Sequence, residues 1–592
     1  MANNQKLTVE GNSIQMQVYT NDLIAVDGAN RTLPTYEEVG HIKVNKYVGV
    51  FYWLWHGYTR TDPIRDISKV LKENPTNPGW QFQDYYWGEP ENGYYHAQDP
   101  WVMRRNLTML ANAGVDFIYL DFTNGTHGNE AFSLLCDTAL DLRRQGINAP
   151  YIMFFVNSTQ DYTVNYIYNN LYNVESYKSL WFYWQGKPLL MAGDGQGNVS
   201  QTIKDFFTWK NTWAFQAETQ NQWRFIDDFP QKYSWETNPD VPEQICVNKS
   251  MGAPLVNKTA TNNKGSSFHN GIAPQYNEFW ECDQTPLGLY FQEQWDRAIS
   301  VNPSVITVTG WNELTAGAWN MDVASAATYN FMGSPLEQDP GRWYFVDEFN
   351  MEFNRDIEPM KDGYTDNYYF QLVSNIRKYK GMNPPEKSSG MRTINIDGNF
   401  AEWAEVFPLF LDPQGDTLKR NFKNVDNSAN YVNETGRNDI VESRVSCDSK
   451  FVYFYIKTAD DITNYTDDNW MLLYINSDND KATGWNGYDY VVNSSIVDST
   501  NSVLNCWNDN QWNIASPSIK YNVSGNEMEI AVPRADIKQI TSSVSLSFHI
   551  VDNVSYKCCF EDTFVNGDSA PDRRFDYRYV ADVAFDLSEA GS

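Results

Sequence analysis

Up to residue 381 the chain alternates between two hydrophobic rhythms. Short, nearly unbroken apolar or β-branched runs occur at residues 47–57, 115–122, 151–156, 187–192, 213–215, 244–247 and 305–308. Runs of this kind are what strands buried on both faces require. Between several of them the apolar positions fall at helical spacing. Asp99 and Pro100 supply an N-cap and a first-turn proline, Met103, Leu107 and Leu110 follow on one face, and Gly114 stops the helix. Residues 130–145, 288–300 and 366–380 read the same way, the last closed by Gly381. Strand, helix and strand in succession imply parallel pairing, and the pattern predicts a (β/α)8 barrel. The runs supply seven of its eight strands, while residues 216–243 and 250–287 show no regular period.

The rhythm then changes. Residues 382–390 carry two prolines followed by small polar residues, a linker signal after a helix stop. Residues 451–456, 470–475, 488–492, 527–532 and 544–551 are strands separated by turn clusters, which predicts a β-sandwich. The expected organisation is an N-terminal extension packed on the barrel (1–46), the barrel (47–381), a linker (382–390) and the sandwich (391–592).

At 592 residues the chain exceeds one ordinary core, in keeping with this division. Its aromatic content of 15%, with 21 Trp and 37 Tyr, suits carbohydrate, whose C–H faces stack on rings. A formal charge of -30 disfavours nucleic acid and anionic membranes. There is no apolar run long enough to span a bilayer. The first residues lack an apolar signal core, so the expectation is a secreted, periplasmic or cell-surface protein whose signal peptide is absent here, with a cytoplasmic one as the alternative. Seven cysteines without a CxxC pair give neither a disulfide framework nor a zinc site.

Candidate chemistry gathers where strands end, the position at which a parallel barrel keeps its functional loops. Trp311, Asn312 and Glu313 follow the run at 305–308: an indole for stacking, an amide for hydroxyls and a carboxyl for proton transfer. Asp121 ends the run at 115–122 and is the expected partner acid; a structural acid bonding the next loop is the competing reading. Trp53, His56, Trp87, His269 and Asn270 are expected to line sugar subsites, although a lone histidine more often serves packing. Glu89, in the aromatic loop between residues 57 and 100, is a further binding candidate, as is Asp347 in the loop after Glu313, where Asp347 and Glu348 are also the reserve acids.

The segment around Phe51, Tyr52 and Trp53, the stretch from Ala113 to Asp121, and Trp311-Asn312-Glu313 together resemble the barrel of glycoside hydrolase families 71 and 99. The resemblance implies cleavage of α-linked glucans or mannans, with Glu313 as an acid of the reaction and no cofactor. The family 99 pattern places a second Glu three residues on, and here that position is Ala316. Residues 391–586 resemble a family 9 carbohydrate-binding module or the related DOMON sandwich, through the segment from Ile394 to Trp403 and that from Leu473 to Asp480. This implies sugar binding, with Trp485, Trp507 and Trp512 as stacking candidates, and a structural calcium ion. Asn476, Asp478 and Asp480 offer alternating oxygen ligands for such a cation, and an ordinary polar turn accounts for them equally well. The expected function is glycoside hydrolysis by paired carboxylates; its rivals are a non-catalytic glycan-binding protein and a barrel tied to polysaccharide assembly.

Overall fold

The computed structural model of the chain describes residues 7–9, 12–14, 22–57, 63–75, 78–81, 83–125, 129–157, 160–193, 198–216, 219–251, 264–320, 330–331, 334–335, 343–345, 348–554 and 559–586. Eight parallel strands run in sequence order: β1 (Tyr47–Tyr52), β2 (Phe117–Phe122), β3 (Tyr151–Val156), β4 (Lys187–Ala192), β5 (Thr208–Trp213), β6 (Gln222–Arg224), β7 (Gln244–Asn248) and β8 (Val305–Thr309). Each pairs with the next except at the β6–β7 seam, and β8 returns to β1. The Gln244 side chain bridges that seam: Oε1 accepts from the Arg224 N–H (2.9 Å), while Nε2 donates to the Arg224 carbonyl (2.9 Å) and Thr307 Oγ1 (2.7 Å). The result is a (β/α)8-type barrel. Two details differ from the sequence expectation. The fifth strand ends at Trp213 instead of starting there, and the unassigned strand is the three-residue β6.

Alternation decides which side chains fill the barrel. Phe117 and Tyr119 of β2 join the interior cluster, whereas Ile118 and Leu120 join the outer one that packs beneath the helices. Near the C-terminal end of the barrel the rings of Phe51, Phe155 and Phe225 meet at centroid distances of 4.9–6.3 Å. Nearer the other end a buried Lys210–Glu243 ion pair (2.7 Å) accompanies the indoles of Trp184 and Trp223, both donating to Glu243. Helices α1 (Pro100–Asn112), α2 (Asn129–Arg144), α3 (Gln160–Ile167), α4 (Gln201–Phe206), α5 (Leu289–Val301) and α6 (Asn367–Lys380) cover the outside. Asp99 caps α1 as expected, accepting from the Trp101 N–H (3.1 Å).

The C-terminal region is an antiparallel β-sandwich. Its strands are β9 (Leu409–Leu411), β10 (Ile440–Cys447), β11 (Phe451–Thr458), β12 (Leu472–Asn476), β13 (Tyr490–Asp498), β14 (Asn501–Asn508), β15 (Gln511–Ser524), β16 (Glu527–Pro533), β17 (Val544–Asp552), β18 (Asp568–Ala570) and β19 (Tyr577–Ala581). They form one continuous ladder in the order β9-β10-β11-β16-β15-β14-β13-β12-β17-β18, with β19 on β17. The ladder folds back so that Phe454 of β11 meets Phe548 of β17 at 5.4 Å in a separate buried core. No helix among the described residues is long and apolar enough to cross a membrane.

Barrel and sandwich are fastened together by buried charge. Arg420 reaches Asp99 (2.7 Å), Arg573 reaches Glu91 (2.5 Å) and Arg574 reaches Asp366 (2.9 Å). The segment around Ile24 pairs with Asp576 of the sandwich, while Arg31 donates to the carbonyls of Leu287 and Asn367 on the barrel. Proteolysis in the part-exposed stretch 383–390 is therefore expected to yield two fragments that co-elute on gel filtration. Separate elution without denaturant would show that these pairs do not hold the halves.

Candidate active site

Beyond Thr309 the chain turns across the C-terminal end of the barrel and is met by a returning segment. The Gly310 N–H donates to the Arg355 carbonyl (2.7 Å), the Ile357 N–H to the Gly310 carbonyl (3.1 Å) and the Glu358 N–H to the Trp311 carbonyl (3.1 Å). Space decides the glycine: a Cβ at 310 would stand 3.2 Å from Asp356 Oδ1 and 3.4 Å from the Phe51 ring. Asn312 sews the ends of β8 and β1 together. Its Oδ1 accepts from the Trp53 N–H (2.7 Å), and its Nδ2 donates to the Trp53 carbonyl (3.1 Å) and the Tyr95 hydroxyl (3.2 Å).

This arrangement gathers a buried charge network. Glu313, 4% exposed, accepts from Arg355 Nη2 at 3.1 Å. Glu348 accepts from the Arg355 backbone N–H (2.9 Å) and lies 3.9 Å from its guanidinium. Asp356 receives the Trp87 indole N–H at 3.2 Å, which is shared with the Glu313 carbonyl at 2.8 Å. Burial pushes the Asp356 carboxyl up to about 6, against the pull of the Glu313 backbone, Arg355 and Lys249. Lys249, one residue past β7, is wholly buried with its ammonium 4.2 Å from the Tyr364 ring centroid and 2.7 Å from Asn354 Oδ1. Burial draws it down to about 7, and Glu348, Asp356 and Glu352 oppose that shift. Carboxylate oxygens of Glu313, Glu348 and Asp356 lie within 4.8 Å of one another, close enough for a metal. Arg355 and Lys249 already offset their charge, so the donor set is better suited to an internal ion network than to a cation site.

The expected site residues fall into separate groups. Glu313, Asn312, Trp53 and Trp87 converge at the barrel end as described. Asp121 stands at the end of β2, 4% exposed, and accepts from the N–H (3.0 Å) and hydroxyl (2.7 Å) of Thr123. Trp311 is fully buried in the outer core, edge-on to Tyr369 of α6 at 6.2 Å. Its indole therefore packs and offers no face to a ligand, contrary to the stacking expectation. Trp87 is equally buried; besides its N–H contacts, its ring stacks on Tyr364 (6.3 Å) and lies 5.6 Å from the Lys249 ammonium. Glu89 is on the flank, paired with Lys69 (3.0 Å) and Lys361 (2.6 Å). His269 and Asn270 form a turn against Glu293 of α5, with His269 Nδ1 at 3.2 Å from its carboxylate, and are not brought into the network. Asp347 lies outside the described residues. In the sandwich, Asp478 and Asp480 accept from the backbone of their own turn (2.9 Å each).

His56 stacks on Trp55 at 6.2 Å and is 3% exposed. Burial lowers its imidazole to about 3, with the Asn312 backbone opposing and His96 reinforcing. Its folded-state pKa lies below the unfolded 6.5, so its contribution to stability is present above pH 6.5 and is lost as pH falls toward 3. The loss at pH 4 should be roughly 3 kcal/mol. Denaturant melts of wild type and His56→Gln across pH 4–7 should show the shallower slope in the variant; parallel curves would refute the assignment.

A cleft of about 370 Å³, including the part open to solvent, adjoins this barrel end and is lined by Trp55, His56, Asp84, Tyr86, Thr315 and Val425. Sequence reasoning missed Arg355, Asp356 and Lys249, and also Trp213, which ends β5 at 41% exposure beside Phe155 (5.9 Å). A signal for Arg355 existed: an arginine between Asn354 and Asp356 in an acidic loop of a strongly acidic chain.

No family model matches the sequence, and no curated protein does. Among solved structures, two of the GH99 endo-alpha-mannosidase from Bacteroides thetaiotaomicron are similar, one of them in complex with BIS-TRIS-propane. Each shows 14% identity over 56% of this chain and 97% of the other, with a TM-score of 0.31.

Proposed function

We propose that the chain is a glycoside hydrolase acting on an oligo- or polysaccharide, with Glu313 and Asp121 as its paired acids. The observation that carries this is the strand order β8-β1-β2. It sets Glu313 and Asp121 on either side of the strand that leads to Trp53. Strands two apart are separated by roughly 10 Å along a sheet. Glycosidase pairs work at about 5–10 Å, a separation within reach of Asp121 at the end of β2 and Glu313 four residues beyond β8. The Arg355 guanidinium offsets the charge of Glu313, and Trp213 presents a rim indole to a sugar face. An α-linked substrate and a secreted or cell-surface location belong to the same proposal.

The ion pair that buries Glu313 also favours a second reading, a glycan-binding barrel in which this acid is structural. Reducing-sugar release from a polysaccharide panel separates the two. Release by the wild type that is abolished in a folded Glu313→Gln variant supports the enzyme. Retention on a glycan array with no release from any polysaccharide supports the binder.

A further inference from the structure

The described residues hold a second acidic cluster, far from Glu313 in sequence and built by the sandwich where it docks on the barrel. Asp412 and Asp416 flank the turn after β9, Asp439 precedes β10, and Asp568 opens β18. Carboxylate oxygens of Asp412, Asp416 and Asp568 all lie within 4.8 Å of one another, and all three side chains are buried. Asp439 and Asp572 add charge beside them.

Part of this acidity is met by hydrogen bonds. Asp568 accepts from the N–H groups of Ile440 (2.6 Å) and Ser569 (2.8 Å), Asp439 accepts from Gly415 (2.9 Å), and Asp412 accepts from the Tyr577 hydroxyl (3.3 Å). Asp416 is different. It is 8% exposed, and its Oδ1 is buried with no hydrogen-bond partner among the described residues. The groups facing it are carboxylates of Asp568, Asp572 and Asp439, opposed by the Arg105 guanidinium. The neighbouring guanidiniums are already engaged: Arg104 by Asp141, Arg105 by the Phe564 carbonyl, and Arg573 by Glu91 and Asp366. A buried carboxylate oxygen with acceptors before it and no donor is costly unless the group takes up a proton or a cation stands there.

We propose that Asp412, Asp416 and Asp568 bind a Ca²⁺ ion that locks the sandwich onto the barrel. An all-oxygen, carboxylate-rich donor set selects a hard cation. Ca²⁺–oxygen distances of about 2.3–2.6 Å allow ligands up to about 5 Å apart, so carboxylate oxygens all within 4.8 Å of one another can surround such an ion. The locking follows from the turn the ligands enclose. Between Asp412 and Asp416, the Gln414 carbonyl accepts from Arg104 of α1 (3.2 Å) and from Gln145 just past α2 (3.1 Å). The site differs from the Asp478–Asp480 turn, whose acids are exposed and take up their own backbone N–H groups.

The test uses the full chain, stripped with chelator, titrated with CaCl2 and with MgCl2 by calorimetry and followed by thermal melts. One equivalent of Ca²⁺ is expected to bind and raise Tm, with Mg²⁺ weaker. Asp416→Asn should weaken Ca²⁺ binding by at least about tenfold. A double Asp478→Asn, Asp480→Asn variant should bind as the wild type does. The proposal is overturned if the stripped wild type takes up no Ca²⁺ at millimolar concentration, if Asp416→Asn binds unchanged, or if the turn variant is the one that loses binding. Should Asp416→Asn fail to fold, Tb³⁺ competition against Ca²⁺ on the wild type still decides: no displaceable Tb³⁺ means no site.

Discussion

Glu313→Gln is expected to lower turnover on a cleaved glycan by about 10²- to 10⁴-fold, the usual worth of a positioned acid or base. The amide keeps the shape of the side chain and one acceptor for Arg355 Nη2, now 3.1 Å from Glu313 Oε2. What it loses is the titrating group and half of an ion pair. Arg355 is not left alone, because Glu348 stands 3.9 Å away, so the fold should survive with a modest drop in Tm. Asp121→Asn should produce a comparable fall if Asp121 is the partner acid. If it is structural, the loss will appear in the melt, since its carboxylate accepts from both donors of Thr123. Near-normal turnover by a folded Glu313→Gln protein would end the assignment and move the chemistry to Asp356 or Glu348.

Arg355→Met should be the most destabilising single change at this end of the barrel, by about 3–5 kcal/mol. It removes the guanidinium from a region where Glu313, Glu348 and Asp356 are each at most 4% exposed, leaving Lys249 as the nearby cation. Methionine fills similar volume, so the loss reports charge more than cavity. The sign with pH is diagnostic. Without Arg355 these carboxyls resist ionisation in the folded state, which raises their folded pKa above the unfolded value. That contribution is retained below about pH 4 and lost as pH rises through the raised folded values. The gap between wild type and variant should therefore narrow on acidification. Urea melts at pH 4.5 and 7.5 with an unchanged gap would show that Arg355 acts through packing.

The barrel was legible because most of its strands are apolar on both faces, as in β2 and β3. The exceptions were hidden for physical reasons. β5 buries Lys210 against Glu243, so its polar positions do not look like a core strand. β6 is only three residues long and owes its place to the Gln244 side chain, which no hydrophobic period announces. Glu313 was visible from its position at a strand end. Its partner Arg355 was not, because a contact 42 residues away is set by how a loop returns to Gly310. Trp311 shows the converse limit: an indole next to the acid looked like a sugar platform, yet only the packing of α6 decides which side it takes.

Arg573 of the sandwich holds Glu91, and the Glu91 N–H holds the Pro359 carbonyl, directly after the segment that carries Arg355 to Glu313. The geometry around the acid thus depends on a residue more than two hundred positions downstream. A barrel expressed alone, ending near residue 381, would retain Asp121, Glu313 and Arg355 but lose the far anchor of that strap. A barrel grafted onto a different C-terminal region is therefore expected to keep this geometry only if the new partner restores a cation at the place of Arg573.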